Sequence, residues 1–447
     1  MLERFFKLKE NGTNVGTEFV AAVTTFLTMS YIVFVQPAIL SADFNGNPTG
    51  MDFNAVMLAT CLSAAIATFL MGVYANYPIA QAPGMGENIF FVSVIMSISA
   101  MGVQNSWQIA LGIVFLSGVL FLLVSLFNIR AKLLNVISPS MKNAIAVGIG
   151  LFIAFLGLQK AKLIVAGPGT LIQMNSDILS KDIGIFAFGL ILIAVFLMKR
   201  VRGAILIGII CSAVLAAVLG KIEFAGLISR PPSIEPTFFK MDIAGIFKKL
   251  PFQDYLSFII IFLFMDVFDT IGTIIGVSEQ AGLIVDNKLP RANRALMSDA
   301  VGTVAGACLG TSTVTSYIES ASGVEAGGRT GLTSVFISMF FVFAVFFSPL
   351  VKTIASYDAI TAPALVMVGA MMTKNVVNIK WTDYSESIPA FLTMMGIPLT
   401  CSISNGLAFG FIAYPMMKLF SGRIKETSWL AYLLGVVFLL RYLLFKV

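Results

Sequence analysis

Histidine is absent from this chain of 447 residues. The side chain that switches charge near neutral pH is therefore missing, and so is the commonest metal ligand. Any proton the protein carries has to ride on Asp, Glu, Tyr or water. Charge is scarce as well: Asp, Glu, Lys and Arg together make up 12% of the residues against 58% hydrophobic, and the mean hydropathy is +0.93. That balance excludes an ordinary soluble domain and predicts an all-α polytopic membrane protein, because helices satisfy every backbone polar group internally in lipid. The four cysteines (Cys61, Cys211, Cys308, Cys401) lie in apolar stretches with no metal or disulfide spacing, so they read as small buried hydrophobes. No metal, no cofactor and no enzymatic activity is expected. The first fourteen residues, MLERFFKLKENGTN, hold no apolar core, so no cleavable signal peptide is expected. The net charge of +6 comes from loops and points to membrane topology, with no nucleic-acid partner.

Apolar segments fall at 16–40, 53–75, 86–100, 106–127, 140–158, 183–198 and 203–220, and again at 254–279, 294–310, 316–326, 331–351, 358–373, 387–402 and 404–420. Between the two series lies a polar stretch, 221–253, containing RPPSIEP. Seven plus seven suggests a duplication, and because seven is odd the second copy enters the membrane inverted. With the N-terminus inside, the cytoplasmic loops carry Arg130, Lys132, Lys142, Lys199, Arg200, Arg202, Lys288, Arg291, Arg294, Arg329, Lys374 and Lys380. The short outer loops offer only Lys160, Lys162, Lys181 and Lys352, as the positive-inside rule requires. One apolar segment is left over, 428–445, carrying Arg441; it either spans the bilayer or lies along its inner face with Arg441 snorkelling.

Within the first segment of the second series, FLFMDVFDTIGTIIGV places Asp266 and Asp269 in an apolar run. A charge near mid-membrane costs about 2.5–3.5 kcal/mol on insertion scales, so two on one helix mark a function. At spacing i, i+3 they share a helical face that Thr270 and Thr273 extend. The third segment of each half is interrupted: YPIAQAPGMGENIFF (77–91) by prolines and glycines, GTSTVTSYIESASGV (310–324) by serines and threonines. Paired interruptions at corresponding places in two halves are the best pointer to a transporter's substrate site. Half-helix N-termini would there aim backbone N–H groups at a ligand. The polar residues at the breaks are Glu87, Asn88, Ser316, Tyr317 and Glu319. With Asp266 and Asp269 they suit a small, flat, neutral ligand bearing several N–H and C=O groups, and would repel an inorganic anion.

Structural alternatives stand beside each assignment. Asp269 pins helix 8 to a break or joins the site, Glu87 caps its own half-helix, and Asn88 holds the break together or meets the ligand. Thr270 and Thr273 back-bond to helix carbonyls, as membrane threonines commonly do. Tyr317 is contact or scaffold. Glu279, Asp299 and Glu325 lie near predicted helix ends and read as solvated or capping residues.

The stretches TTFLTMSYIVFVQP (24–37), ANYPIAQAPGMGENIFF (75–91), FLFMDVFDTIGT (262–273), NKLPRANRALMSDA (287–300), GTSTVTSYIESASGV (310–324) and ITAPALVMVGAMM (360–372) resemble the AzgA-like purine permeases of the nucleobase/cation symporter-2 family, over nearly the whole chain. The resemblance implies 14 transmembrane helices as a 7+7 inverted repeat with core and gate domains. The core would comprise residues 14–127 and 254–351 (helices 1–4 and 8–11), and the gate 128–253 and 352–447 (helices 5–7 and 12–14 with the C-terminal segment). It also implies elevator-type import of adenine, guanine or hypoxanthine with protons across the plasma membrane. The family's acidic residue on helix 8 matches Asp266, the one on helix 10 matches Glu319, and its Gly-x-Asn on helix 3 matches Gly86 and Asn88. Glu87 departs from the pattern, since relatives often carry an apolar residue there.

The site read from the sequence is accordingly Asp266, Glu319, Asn88, Gly86, Glu87, Tyr317 and Thr270 for the purine, with Asp266, Glu319 and Asp269 for the proton. A carboxylate shielded from water holds a proton at neutral pH, and coupled carboxylates titrate as a pair. The partners expected are a purine nucleobase, protons and the lipid bilayer; the sequence leaves homodimer formation open. Two other readings exist: an anion transporter of the sulfate/bicarbonate type on the same 7+7 fold, and an intramembrane aspartyl protease. The acidic site argues against the first. The second wants two aspartates facing each other from different helices.

Overall fold

A computed structural model describes residues 2–44, 46–126, 138–167, 171–224, 226–283 and 289–444. Arg130, Lys132 and Lys288 of the topology argument, and the side chain of Arg441, lie outside what is described.

The helices follow the apolar segments. They are α1 (Val15–Leu40, in pieces Val15–Met29 and Ile32–Leu40), α2 (Phe53–Ala75), α3 (Met85–Ala100), α4 (Ser106–Leu126), α5 (Pro139–Lys160), α6 (Lys181–Met198) and α7 (Ala204–Val218). The second series is α8 (Phe252–Gln280), α9 (Ala292–Leu309), α10 (Ser320–Glu325), α11 (Gly331–Ala355), α12 (Asp358–Asn378), α13 (Tyr384–Leu399) and α14 (Ile403–Phe420). Starts are set locally: Asn14, Asp52, Ser138, Ser180 and Ser402 each accept from the backbone N–H three residues on, the ordinary N-cap bond. Among the described residues, eight helices are long and apolar enough to cross a bilayer, and α3 and α7 are shorter apolar helices. The leftover segment forms α15 (Trp429–Leu444), which packs against α14 and reaches α8. Ala431, Leu434 and Phe438 are its buried face, and Phe438 stacks on Phe411 of α14.

Helix packing repeats under exchange of each helix for the one seven places later. The α4–α9 contact has its counterpart in α2–α11, and α4–α8 in α1–α11. Likewise α3–α8 answers to α1–α10, α5–α13 to α6–α12, and α6–α7 to α13–α14. The α2–α9 and α5–α12 pairs map onto themselves, as a two-fold axis between inverted halves demands. The more extensive pairings all stay within α1–α4 with α8–α11, or within α5–α7 with α12–α14.

Small residues let these helices touch, as expected where lipid removes the hydrophobic drive between helices. A Cβ added to Gly331 would lie 2.0 Å from the Gly72 carbonyl oxygen, and one on Gly369 would lie 2.4 Å from that of Gly150. Of the cysteines only Cys61 is buried; Cys211 and Cys308 are partly exposed and Cys401 is exposed, so the expectation of buried thiols fails at three of the four. Those three lie on or beside outward helix surfaces, where a small apolar side chain faces the surroundings as readily as the interior.

Gly331→Ala would push a methyl group into backbone that no rotamer change can move. We expect it to cost about 1–3 kcal/mol of stability, read as a lowered unfolding temperature in detergent. Gly272→Ala is the matched control, since nothing lies within 4 Å of its added Cβ.

Candidate functional site

Helix α2 ends where Asn76 adopts a left-handed conformation (φ 53°), and Pro78 and Pro83 prevent its continuation. The chain then runs extended as β1 (Gln81–Pro83) before entering α3. In the other half β2 (Val314–Ser316) precedes α10. The two strands pair antiparallel, Gln81 opposite Ser316, Ala82 opposite Thr315 and Pro83 opposite Val314. Further bonds run from Tyr317 N to Ala80 O (2.9 Å) and from Gly84 N to Thr313 O (3.1 Å). All six strand residues are buried. Extended backbone survives at such depth because each strand satisfies the other.

Around this ladder the polar side chains converge. Asp266 is 1% exposed; its Oδ2 accepts from the Thr303 hydroxyl at 3.0 Å, whereas its Oδ1 has no protein partner. The Thr303 hydroxyl in turn accepts from Val314 N at 3.1 Å, tying Asp266 to the strand. Asn88, in the first turn of α3, accepts from the Ser312 hydroxyl through Oδ1 and leaves Nδ2 buried and unpartnered. Glu319 is the residue immediately before α10 and accepts from the Tyr31 hydroxyl at 2.9 Å. Glu87 is buried, and its carboxylate folds over the start of α3: a Cβ on Gly84 would lie 2.1 Å from Oε2. Gly86 is where α5 comes close, since its added Cβ would meet Ile149 at 3.1 Å.

Two expected ligand contacts are engaged inside the protein. The Tyr317 hydroxyl donates to Pro83 O at 2.6 Å, bridging the two breaks. The Thr270 hydroxyl donates to Asp299 Oδ2 at 2.7 Å and lies 3.3 Å from Ser316 N, which donates to it. Thr273 is buried on the same face, and Asp269, by contrast, is exposed, with one long bond from the Thr315 hydroxyl at 3.4 Å.

Asp299 overturns its sequence reading. Placing the start of helix 9 at residue 294 made it a helix-end residue, but it is fully buried in the middle of α9. It accepts from Gln81 Nε2 at 2.5 Å and from Thr270, and its carboxyl meets that of Asp266 as a side-chain pair. Gln81, Thr303, Tyr31 and Gln36, whose Nε2 donates to Thr311 at 2.7 Å, were also missed. The signal for Asp299 was available: SDAVGTVAGACL sets a carboxylate among small apolar residues, just as FLFMDVFDT does. Glu279 and Glu325 are exposed, in keeping with their reading as solvated residues. Four carboxylates, those of Glu87, Asp266, Asp299 and Glu319, thus each come within electrostatic reach of a fifth, Asp269. No group of three or more His, Cys, Asp or Glu able to hold a metal ion occurs among the described residues.

Known proteins resemble the chain over its whole length. The xanthine/uracil permease model of the Permease family matches residues 16–409. A permease of Methanocaldococcus jannaschii is 48% identical over 99% of this chain and 98% of the relative. The guanine/hypoxanthine permease PbuG of Bacillus subtilis is 42% identical over 100% of both, and the adenine permease AdeP of Escherichia coli 40% identical over 99% and 96%. Among solved structures, the transmembrane domain of the cyanobacterial bicarbonate transporter BicA superposes with a TM-score of 0.64 at 14% identity, covering 90% of this chain and 97% of that one. It shares the fold alone.

Replacing Asp299 by alanine strands the buried donors of Gln81 and Thr270. At about 1–3 kcal/mol for each unsatisfied buried group, Asp299→Ala is expected to lower thermal stability in detergent far more than Glu279→Ala, whose side chain is exposed.

Proposed function

This chain belongs to the nucleobase/cation symporter-2 family of permeases, and from that membership together with the site geometry we propose that it imports a purine nucleobase (adenine, guanine or hypoxanthine) by proton symport. It is a multi-pass membrane transporter. The observation that carries the substrate reading is the set of unused buried polar atoms around the breaks, which includes the acceptor Asp266 Oδ1 and the donor Asn88 Nδ2 beside Gln81 Oε1, Gln36 Oε1 and Thr313 Oγ1. Buried polar groups without partners are rare in native proteins, and a purine edge offers the N–H donors and ring-nitrogen or carbonyl acceptors that would complete them. Glu319 and Glu87, at the starts of the two half-helices, supply further acceptors. In this reading Gly86, Thr270 and Tyr317 shape and hold the site.

The proton belongs to the carboxylate cluster. Two carboxyls as closely coupled as Asp266 and Asp299 repel each other when both are ionised, which favours one of them holding a proton. One proton takes the carboxyl pair from two negative charges to one and a neutral purine adds none, which eases the site's passage across the apolar interface. That passage would be an elevator-type movement of a core (14–127 and 254–351), which carries both breaks, against a gate (128–253 and 352–447). The N-terminus lies in the cytoplasm and the membrane is the plasma membrane in this reading.

Likeness to a bicarbonate transporter supports no anion substrate here, because four carboxylates gathered around Asp269 oppose one. Asp266 and Asp299 do face each other from different helices, the geometry an intramembrane aspartyl protease needs; membership of a permease family argues for transport instead.

Uptake of labelled adenine, guanine, hypoxanthine and uracil in a strain lacking its own purine permeases tests the reading. Purine uptake should collapse with a protonophore, and excess sulfate or bicarbonate should not compete. A hydrogen bond to a charged group is worth about 1.5–3 kcal/mol, or roughly 10- to 100-fold in affinity. Asp266→Asn and Glu319→Gln should therefore each abolish uptake at micromolar purine while the protein still reaches the membrane. Uptake surviving both substitutions would sink the proposal.

A further inference from the structure

Along α8 the pattern of exposure changes abruptly at the site. Every residue from Ile261 to Val267 is buried. Beyond them Asp269, Gly272, Ile275, Gly276 and Glu279 are all exposed, and Phe268 and Ile271 partly so. At 100° per residue these positions share one broad face with Asp269 at its edge, and Asp266, about 60° further round, already lies on the buried side. An exposed apolar face of a membrane helix ordinarily meets lipid. Asp269 cannot, because a carboxylate held against hydrocarbon near mid-membrane would be left without solvation or partner. It is also deep in the protein, within electrostatic reach of Glu87, Asp299, Glu319 and Tyr317. A carboxylate so enclosed and still solvent-exposed lies on a water-filled crevice.

The walls of the crevice are consistent with passage of a flat solute. Nothing lies within 4 Å of a Cβ added to Gly272, and Gly276 meets only Ile318 at 3.8 Å. Ile318 is half exposed and adjoins Glu319, so the second break opens on the same space. Lys142 of α5 stands over the Phe268 ring at 4.9 Å, bringing the other helix set up to the same point. At its closed end, one turn from Asp269, is the unpartnered Asp266 Oδ1; Asn88, with its unpartnered Nδ2, is on α3, which packs against α8 through Phe90 and Phe262. Above it, Phe90 packs against Phe262 (4.5 Å between ring centroids) and Phe258 (6.4 Å), closing the far side.

We propose that Asp269, Gly272, Ile275, Gly276 and Ile318 line an aqueous path that joins the substrate site to the side of the membrane where α8 ends. That end lies about 16 Å from Asp269 at 1.5 Å per residue and leads to Arg291 and Arg294, so the path opens to the cytoplasm and the structure is an inward-open state. Asp269 is then the carboxylate that the departing purine and proton pass. Direction and solute rest on the permease reading above.

Cysteine accessibility tests this separately from transport. In a variant with its four native cysteines replaced by alanine, Gly272→Cys, Gly276→Cys and Ile318→Cys are treated with a charged, membrane-impermeant methanethiosulfonate in vesicles of each orientation. All three should react at least ten-fold faster in inside-out than in right-side-out vesicles, and Ile210→Cys, exposed on the apolar helix α7, should react in neither. Saturating adenine or hypoxanthine should slow the reaction several-fold at Gly272→Cys. Equal rates from both sides, no reaction at all three positions, or faster reaction from the outer side would overturn the path. One-sided reaction that no purine slows upholds the path and counts against the purine reading alone.

Discussion

Everything at the centre of this protein depends on six residues of extended backbone. Gln81–Pro83 and Val314–Ser316 could not exist singly at membrane depth, since each unpaired N–H or carbonyl costs several kcal/mol there. Paired with each other they are satisfied, and the pairing fixes where α3 and α10 begin. It thereby gathers residues far apart in sequence, Glu87 and Asn88 from one half and Glu319 from the other, onto the helix carrying Asp266 and Asp269.

The ladder is braced by side chains that look incidental in the sequence. Tyr317 reaches across to Pro83, Thr303 clamps Val314 to Asp266, and Gln81 joins its own strand to Asp299. Buried polar networks are costly unless completed, and here nearly every member is completed by another. The exceptions are Asp266 Oδ1 and Asn88 Nδ2 together with Gln81 Oε1, Gln36 Oε1 and Thr313 Oγ1, all buried around the two breaks. With no histidine in the chain, the proton of the proposed symport would ride on these carboxylates.

Legibility varied with the range of the interaction that defines each feature. Helix positions followed hydropathy closely, and the breaks at 77–84 and 310–319 were visible as proline, glycine and serine clusters. Glu319 fell just before α10, as expected of a residue at a half-helix start. Asp299 was misread because a helix boundary error of two residues made it look terminal, although its burial is set by α2, α8 and β1 packing around it. The roles of Thr270 and Tyr317 were open in the sequence, because a hydroxyl's partner 29 or 234 residues away leaves no local trace.

The sequence by itself determined the membrane environment, the helical class, the two-fold count of segments and the location of the breaks, since all of these follow from hydropathy and backbone chemistry acting over a few residues. Tertiary structure alone decided which polar atoms are used up and which remain free. It also decided that Asp266 meets Asp299 from another helix, and that one face of α8 is sealed above Phe268 and open below. These depend on which helices lie against each other, and that is fixed by close approaches such as Gly72 to Gly331 and by strand pairing between halves more than 200 residues apart.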